Sequence, residues 1–573
     1  MQAFETDRTL PALPIPALEH SRDLLKELIA PLSPKADLDA AEAALEALGA
    51  AQCHTLHEAL LRYRDSLPQG HSWLRPLWDD MYLTDRTRLP INVNYAFKFL
   101  TERWGEGSLC SLIAAMARVI ARLRSDENFS PEKTRDGFFS MDALDYMIYT
   151  RIPSKGRDLW YYPPRSSQMT AAVVCGGRWF TLALEDKNGV FLSAATISKA
   201  LSQIKEHAAK NAPQAPLGAL TCAERDEAAE LRTLMLSNPQ NRINLEALEK
   251  SVFVVCLDSA APQADFMASL VAGPAQNRWH DKSLQIISNG AELGANFEHS
   301  GCDAGLWAYL LSEADRLIRE GSPTGSDEIF IRHLNFKFPE NAAQRLEAAA
   351  ADYTAIAQKI SFCNTRVEAA GKTKIKSIKC SPDAFVQLLY QMAYFSLTGT
   401  FRSVYEAAST RSFYQGRTEA VRPCSPQSTA FVRAYFKGAD KNLLKQLFHD
   451  AIKEHANRIQ TAKNAQGAER HLTGLSHIAK SENLPLPEIF ETEAFRALKR
   501  DTLSTSSMTA PYISFFGFGP VASNGLGIGY GVKDDALCLS VSAYGDSGFS
   551  AAEFAEKVEK LAGEIYSLFD DIL

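Results

Sequence analysis

Within residues 296–305, NFEHSGCDAG, a histidine is followed four positions later by a carboxylate. An imidazole with an ordinary pKa of about 6.5 can take a proton from a hydroxyl at neutral pH. Asp303 could bond one nitrogen of the His299 ring, set its tautomer and leave the other nitrogen as the base. Spacing alone is weak evidence, because the chain has 12 histidines and HxxxD arises by chance. A hydroxyl run, Ser504-Thr505-Ser506, could serve a tetrahedral oxyanion, although such a string is also a common loop or cap. Lys372, Lys374, Lys376 and Lys379 fall within eight positions with no acid among them. They form either a patch that neutralises a phosphorylated ligand or a solvated basic loop ahead of a helix. A nucleophilic serine has little support: there is no GxSxG elbow, and GCDAG puts Asp303 where that serine would sit.

The elements that must hold these groups are those of a large α/β chain. With 573 residues, 46% hydrophobic and 23% charged, the chain exceeds the roughly 250–300 residues at which single cores stop growing. The first hundred residues read as helices over 17–32, from Ala36 onward and over 53–66, with apolar spacings of three and four. Strand-like runs then alternate with helices: AAVVCGGRWFTLAL from Ala171, SVFVVCLDS from Ser251, SLQIISNG from Ser283 and EIFIRHLNFKF from Glu328. Near the end come ISFFGF from Ile513, ALCLSVSAYG from Ala536 and an amphipathic helix from Ala551. SLIAAMARVIARLR from Ser111, broken by Arg118, has the spacing of a buried helix and falls short of a membrane span.

A net charge of -7 argues against a nucleic-acid or membrane-surface binder. Ten cysteines without a CxxC pair suggest a reducing compartment, the cytoplasm by default, and neither the N-terminal string nor the FDDIL ending reads as a targeting signal. GFGPVA from Gly517 imitates a dinucleotide fingerprint, but Pro520 and the lack of a following helix argue against it. Asn524-Gly525 reads as a hairpin turn, after which Gly527, Gly529 and Gly531 share one strand face and leave room for close approach. In CHTLHE, His54 and His57 read as surface residues rather than zinc ligands.

Longer strings carry a family resemblance. NRWHDKSLQIISNGAELGANFEHS from Asn277, GKTKIKSIKCSPDAF from Gly371 and YEAASTRSFYQGRTEAVR from Tyr405 together resemble the carnitine/choline acyltransferase family. The likeness runs from LPALPIPALEHS to LSVSAYGDS. It implies two similar α/β domains of the CoA-dependent acyltransferase (chloramphenicol acetyltransferase-like) type, with mixed sheets, flanking helices and an active-site tunnel between them. The implied division is 73–338 for the domain with the catalytic histidine, and 1–72 plus 339–573 for the domain with the CoA and carnitine contacts. Many members have Glu at the position of Asp303, and Ala304 departs from the simplest HxxxDG form.

By the same resemblance His299 is the base, and Ser506 is the oxyanion donor. Lys372, Lys376, Asp383, Glu406 and Ser409 match CoA contacts, with Ser381 and Pro382 opening the helix behind them. Carnitine carries a carboxylate that choline lacks, so its site needs a buried cation and hydroxyl donors. Arg470, in ERHLTGL, stands where choline-specific relatives have a neutral amide, and Tyr405, Thr418 and Tyr82 match the other carboxylate ligands. Ser504 falls nearer the acceptor's polar end, and Phe518 matches an aromatic beside the trimethylammonium group. Phe516 stands where long-chain members have a glycine, which implies an acetyl or short-chain preference. CoA or acyl-CoA would be a co-substrate, with no metal and no covalently bound cofactor, and a monomer is the starting expectation. Transfer to choline or another amino alcohol, and a non-catalytic CoA-binding scaffold, are the alternatives.

Overall fold

The computed structural model describes residues 6–48, 51–125, 129–134, 137–259, 265–321, 324–339 and 341–569. The first five and last four residues, which belong to the terminal strings read above, lie outside the described residues. Two mixed sheets organise the rest. The first has eight strands in the order Ile513–Phe518, Tyr95–Phe99, Leu293–Phe297, Gln285–Ser288, Phe253–Leu257, Thr170–Cys175, Arg178–Ala183 and Ile331–Leu334. The second has six, in the order Ile360–Val367, Leu537–Tyr544, Leu526–Val532, Leu503–Ser507, Val404–Ser409 and Thr418–Val421.

The two sheets repeat one plan. In each, three neighbouring strands run parallel and are flanked by antiparallel ones. Strand by strand, Tyr95–Phe99 corresponds to Ile360–Val367 and Leu293–Phe297 to Leu537–Tyr544, with the chain order of the six shared positions preserved. Parallel pairs need long crossovers, which the intervening helices supply. The edge strands Ile331–Leu334 and Ile360–Val367 are partly exposed, whereas the central strands are buried on both faces, Phe253–Leu257 and Leu293–Phe297 along their whole length. That explains their continuous apolar reading rather than an alternating one.

Ile513–Phe518 departs from the repeat. It leaves the second sheet and pairs antiparallel with Tyr95–Phe99 at the edge of the first. Residues on the C-terminal side of the expected boundary at Pro339 therefore complete the sheet that carries His299. Asn524, with φ +54°, turns the chain back toward Leu526–Val532. The expected hairpin is thus a turn between two sheets: the strands it joins do not pair with each other.

The N-terminal helices Leu18–Ile29, Lys35–Leu48 and Ala51–Ser66 share one apolar cluster with Leu472, Leu475 and Leu498. Full burial of each such leucine is worth about 1.5–3 kcal/mol, enough to fix these helices against the ERHLTGL helix and the short helix Glu493–Lys499. Ser108–Arg124 is the buried helix that its spacing indicated, with Leu112 through Ala117 inside. Among the described residues no helix is long and apolar enough to cross a membrane.

Candidate active site

His299 lies on the loop between Leu293–Phe297 and the helix Ala304–Arg319. Its Nδ1 is 3.0 Å from the carbonyl oxygen of Cys302. A carbonyl can only accept, so Nδ1 carries the proton and Nε2 keeps its lone pair for substrate. The sequence reading gave this orienting role to Asp303, and the structure corrects it. Asp303 stands at the N-cap position of the helix without bonding its first-turn amides; its carboxylate bonds instead to Arg417, at 3.1 Å (Nη2) and 3.3 Å (Nε). A guanidinium offers two charge-assisted donors in the plane of the carboxylate, a stronger match than one imidazole N–H. Arg417 also donates to the carbonyl oxygens of Ser300 at 2.7 Å and His299 at 3.1 Å, so one side chain ties down the whole 299–303 loop.

The loop is braced from behind. Glu298 is fully buried, accepts from Ser300 Oγ at 2.6 Å and faces Arg151 at 3.3 Å, and the Tyr149 hydroxyl also donates to it. Gly301 is required here, since a Cβ would sit 2.5 Å from the Tyr149 ring. Burial pushes the His299 imidazole below its usual range, against the attraction of Asp303 and with the help of Arg417. The ring is therefore neutral at pH 7, the state a base needs. Burial acts to raise the Asp303 carboxyl, but Arg417 and His299 outweigh it and hold it below the usual carboxylate range.

Beside this ring the structure assembles the residues matched to the acceptor. Tyr82 lies 6.0 Å from His299 between ring centroids, and Trp78, one turn earlier on the helix Leu74–Thr84, lies 6.2 Å from Tyr82. The Arg470 guanidinium sits 4.2 Å above the Trp78 ring, donates to the Tyr405 hydroxyl at 3.1 Å and to the Thr418 carbonyl at 3.1 Å. Among the described residues its guanidinium meets a phenol and a carbonyl rather than a carboxylate: neighbouring Glu469 is engaged by Arg422 and Lys499, and Glu419 takes the Arg470 backbone N–H at 3.4 Å. Ser504 is buried opposite Tyr405 in the parallel pairing of their strands. Ser506 is half-buried two residues on, and so faces the same side as Ser504.

Phe516 is buried, with ring centroids 5.7 Å from Phe97, 6.0 Å from Tyr95 and 5.6 Å from Phe518. Tyr95 meets the His299 ring edge-on at 5.0 Å, so an aromatic wall runs from the base to Phe516. The glycine face behaves as the spacing suggested. A Cβ on Gly529 would lie 2.1 Å from the Phe516 carbonyl oxygen, so the absent side chain lets the edge strand of one sheet lie on the other.

On the far side, the lysines open a short helix, Lys372–Ser377, rather than a loop, and Lys372, Lys374, Lys376 and Lys379 are all exposed. Lys372 lies 3.5 Å from Asp534. Ser381 caps Pro382–Thr398 through Ala384 N, as expected. Glu406 is buried and 3.0 Å from His455, whereas Ser409 is exposed and receives the Arg411 amide at 3.3 Å. Of the two histidines in CHTLHE, His54 is exposed as expected, while His57 is half-buried and its Nδ1 lies 3.0 Å from His471 Nε2.

Sequence reasoning missed Trp78, Tyr95, Arg417 and His455. Trp78 was detectable as the i–4 partner of Tyr82, and Arg417 as the cation beside Thr418 in GRTEA; nothing local marked Tyr95 or His455.

The structure thus sets a neutral, tautomer-fixed imidazole in a loop beside aromatic rings that lead to a half-buried cation, and leaves the lysines exposed on a separate helix. Residues 13–560 match the family described as choline/carnitine O-acyltransferase. The chain is 28% identical to carnitine O-palmitoyltransferase 2, mitochondrial, of Bos taurus, over 98% of this chain and 92% of that protein. It is also 28% identical to choline O-acetyltransferase of Sus scrofa, over 97% of this chain and 92% of that protein. Among solved structures, a trichothecene 15-O-acetyltransferase from Fusarium sporotrichioides aligns with a TM-score of 0.39 at 11% identity, covering 85% of this chain and 93% of that one. The chain belongs to the choline/carnitine O-acyltransferase family, and so to enzymes that move acyl groups between CoA and carnitine or choline.

Proposed function

We propose that this protein reversibly transfers a short acyl group between acyl-CoA and the 3-hydroxyl of carnitine, in a ternary complex held between the two sheets. The observation that carries the choice of acceptor is Arg470, half-buried beside Tyr405 and Trp78, whose guanidinium has no carboxylate ion-pair partner among the described residues, although the buried Glu419 carboxyl takes its backbone N–H at 3.4 Å. A zwitterion's carboxylate supplies that partner, and choline has none to offer. In this mechanism His299 Nε2 takes the hydroxyl proton while the oxygen attacks the thioester carbon. Ser506 steadies the oxyanion, a contribution of about 2.7–4 kcal/mol where such donors have been removed elsewhere. The imidazolium then protonates the departing thiolate. Phe518 and Ser504 would line the acceptor site, and Lys372, Lys376, Asp383, Glu406 and Ser409 the CoA side.

The bovine relative is named for palmitoyl and the pig relative for acetyl, so names do not decide chain length. The short-chain reading rests on Phe516, walled in by Phe97, Tyr95 and Phe518. Thiol release from acetyl-CoA tests the whole proposal with carnitine, choline or no acceptor present. Carnitine-dependent release that is lost in His299→Ala supports it, and Arg470→Asn should raise the carnitine KM far more than the choline KM. CoA binding without turnover on any acceptor would instead make the chain a scaffold, and equal turnover of palmitoyl-CoA and acetyl-CoA would refute the chain-length part.

A further inference from the structure

Between the exposed lysines and the hydroxyl strand lies a largely buried ionisable cluster: Asp383 and Glu406 are the CoA contacts matched above, and the third member, His455, has no role in the mechanism so far. Asp383 stands at the start of the helix Pro382–Thr398, Glu406 in the strand Val404–Ser409, and His455 in the helix Lys441–Lys463. One nitrogen or oxygen atom of each lies within 4.8 Å of the others. His455 Nε2 is 3.0 Å from Glu406 Oε2, and the Tyr530 hydroxyl donates to Asp383 Oδ1 at 2.7 Å. Gln387 links Tyr530 to Thr505 of the hydroxyl strand, at 3.1 Å and 2.8 Å. The cluster therefore touches the strand of Ser504 and Ser506 on one side and follows the lysine helix on the other.

Two carboxylates this close cannot both ionise in a buried site without a compensating cation. His455 is the cation in contact. Arg458, on the same helix, also faces the imidazole but is bonded to Glu454 at 2.7 Å and to the carbonyl oxygens of Arg422 and Cys424, and it opposes a proton on His455. Burial pushes the Glu406 carboxyl up to about 7, with His455 pulling it down and Asp383 adding to the rise. Tyr390, fully buried on the Asp383 helix, and Gln387 Oε1 complete the lining, and neither has a hydrogen-bond partner among the described residues.

We propose that His455 is a positioning residue that keeps Glu406 ionised beside Asp383, and that this makes recognition of the middle of the CoA molecule sensitive to pH across neutrality. The inference rests on the CoA reading above. Between its phosphates and its sulfur, CoA carries a pantetheine arm with two amide N–H donors, and on that reading the arm would run between the lysines and the hydroxyl strand. An ionised Glu406 accepts from an amide N–H, and a protonated one does not.

The experiment is calorimetric titration of the full chain with 3′-dephospho-CoA, which lacks the phosphate that would itself titrate near neutrality. If only the ionised form binds, with its midpoint at about 7, affinity should fall about tenfold from pH 8 to pH 6. Glu406→Gln should bind with pH-independent affinity. His455→Gln removes the cation that favours the carboxylate, so its midpoint should move upward and its affinity at pH 8 should drop toward the wild-type value at pH 6. In turnover assays the acyl-CoA KM should follow the same profiles, while the carnitine KM at saturating acyl-CoA stays unchanged. If His455→Gln fails to fold, the loss of pH dependence in Glu406→Gln decides alone. A pH-independent wild-type affinity, or wild-type and His455→Gln curves that superimpose, overturns the proposal. If neither CoA nor its 3′-dephospho form binds at any pH, the CoA reading itself falls, and this proposal with it.

Discussion

Replacing Asp303 by Asn separates two ways in which a carboxylate can serve a catalytic histidine. If Asp303 held the imidazole through a ring hydrogen bond, the amide would permit the wrong tautomer, and losses of about 10⁴-fold in kcat follow from that fault. Here the Cys302 carbonyl sets the tautomer at 3.0 Å, so Asp303→Asn should leave it intact. What the variant loses is the ion pair with Arg417, whose two side chains are 18% and 5% exposed. Breaking so buried a pair costs about 3–5 kcal/mol of stability, mainly from the uncompensated guanidinium. Arg417 would keep its bonds to the His299 and Ser300 carbonyls, so the loop should loosen rather than collapse.

Misplacement of that kind typically costs on the order of 10²-fold, so kcat should fall about 10–100-fold, or about 1.4–2.7 kcal/mol. Arg417→Gln also removes the donors to the Ser300 and His299 carbonyls, so its loss should be at least as large, and the double variant should lose little more than Arg417→Gln alone because the ion pair is already gone. The pH profiles should move in opposite directions. Without the Asp303 charge the His299 imidazole is harder to protonate, so the acid limb of kcat shifts to lower pH; without the Arg417 charge it shifts higher. Steady-state kinetics and a double-mutant cycle read all three quantities. A loss near 10⁴-fold in Asp303→Asn beside a mild Arg417→Gln would refute the reasoning, since it would mean that the carboxylate bonds the ring in the working enzyme.

Phe516→Gly should raise kcat/KM for octanoyl-CoA or longer donors relative to acetyl-CoA by at least tenfold, at a stability cost of roughly 3–5 kcal/mol for the emptied volume; an unchanged chain-length profile would remove Phe516 from the acyl pocket. Gly529→Ala should be strongly destabilising by denaturant melt and should lower activity, because its Cβ would meet a backbone carbonyl at 2.1 Å that no side-chain rotation relieves. Glu469→Gln should destabilise by about 1.5–3 kcal/mol, since it takes one of two carboxylates from the buried Arg422 and leaves it paired with Asp501 alone. Burial tends to raise the Glu469 carboxyl, but Arg422 and Lys499 hold it far below the usual range. Its contribution is therefore complete above pH of about 4.5 and is lost as pH falls below that, so wild-type melts should weaken on acidification more steeply than those of the variant.

The terminal and buried helices were legible because each keeps one apolar stripe, and the Ser381-Pro382 helix start because its cap is local. Tyr95–Phe99 and Leu293–Phe297 escaped as strands: central strands buried on both faces have no alternation to read, and each is five residues long. ISFFGF was recognised as a strand, but nothing in it says which sheet it joins.

Residue order alone singled out the histidine, the basic run, the hydroxyl trio and the guanidinium of ERHLTGL, because family motifs are local strings that keep their spacing. The partners of those groups came from folding. Arg417 lies 114 residues beyond Asp303, His455 lies 49 beyond Glu406, and the carbonyl that orients His299 is a backbone group carrying no sequence signature. Hydrogen bonds form to whatever donor or acceptor packing delivers within about 3 Å, and packing is decided by the whole chain.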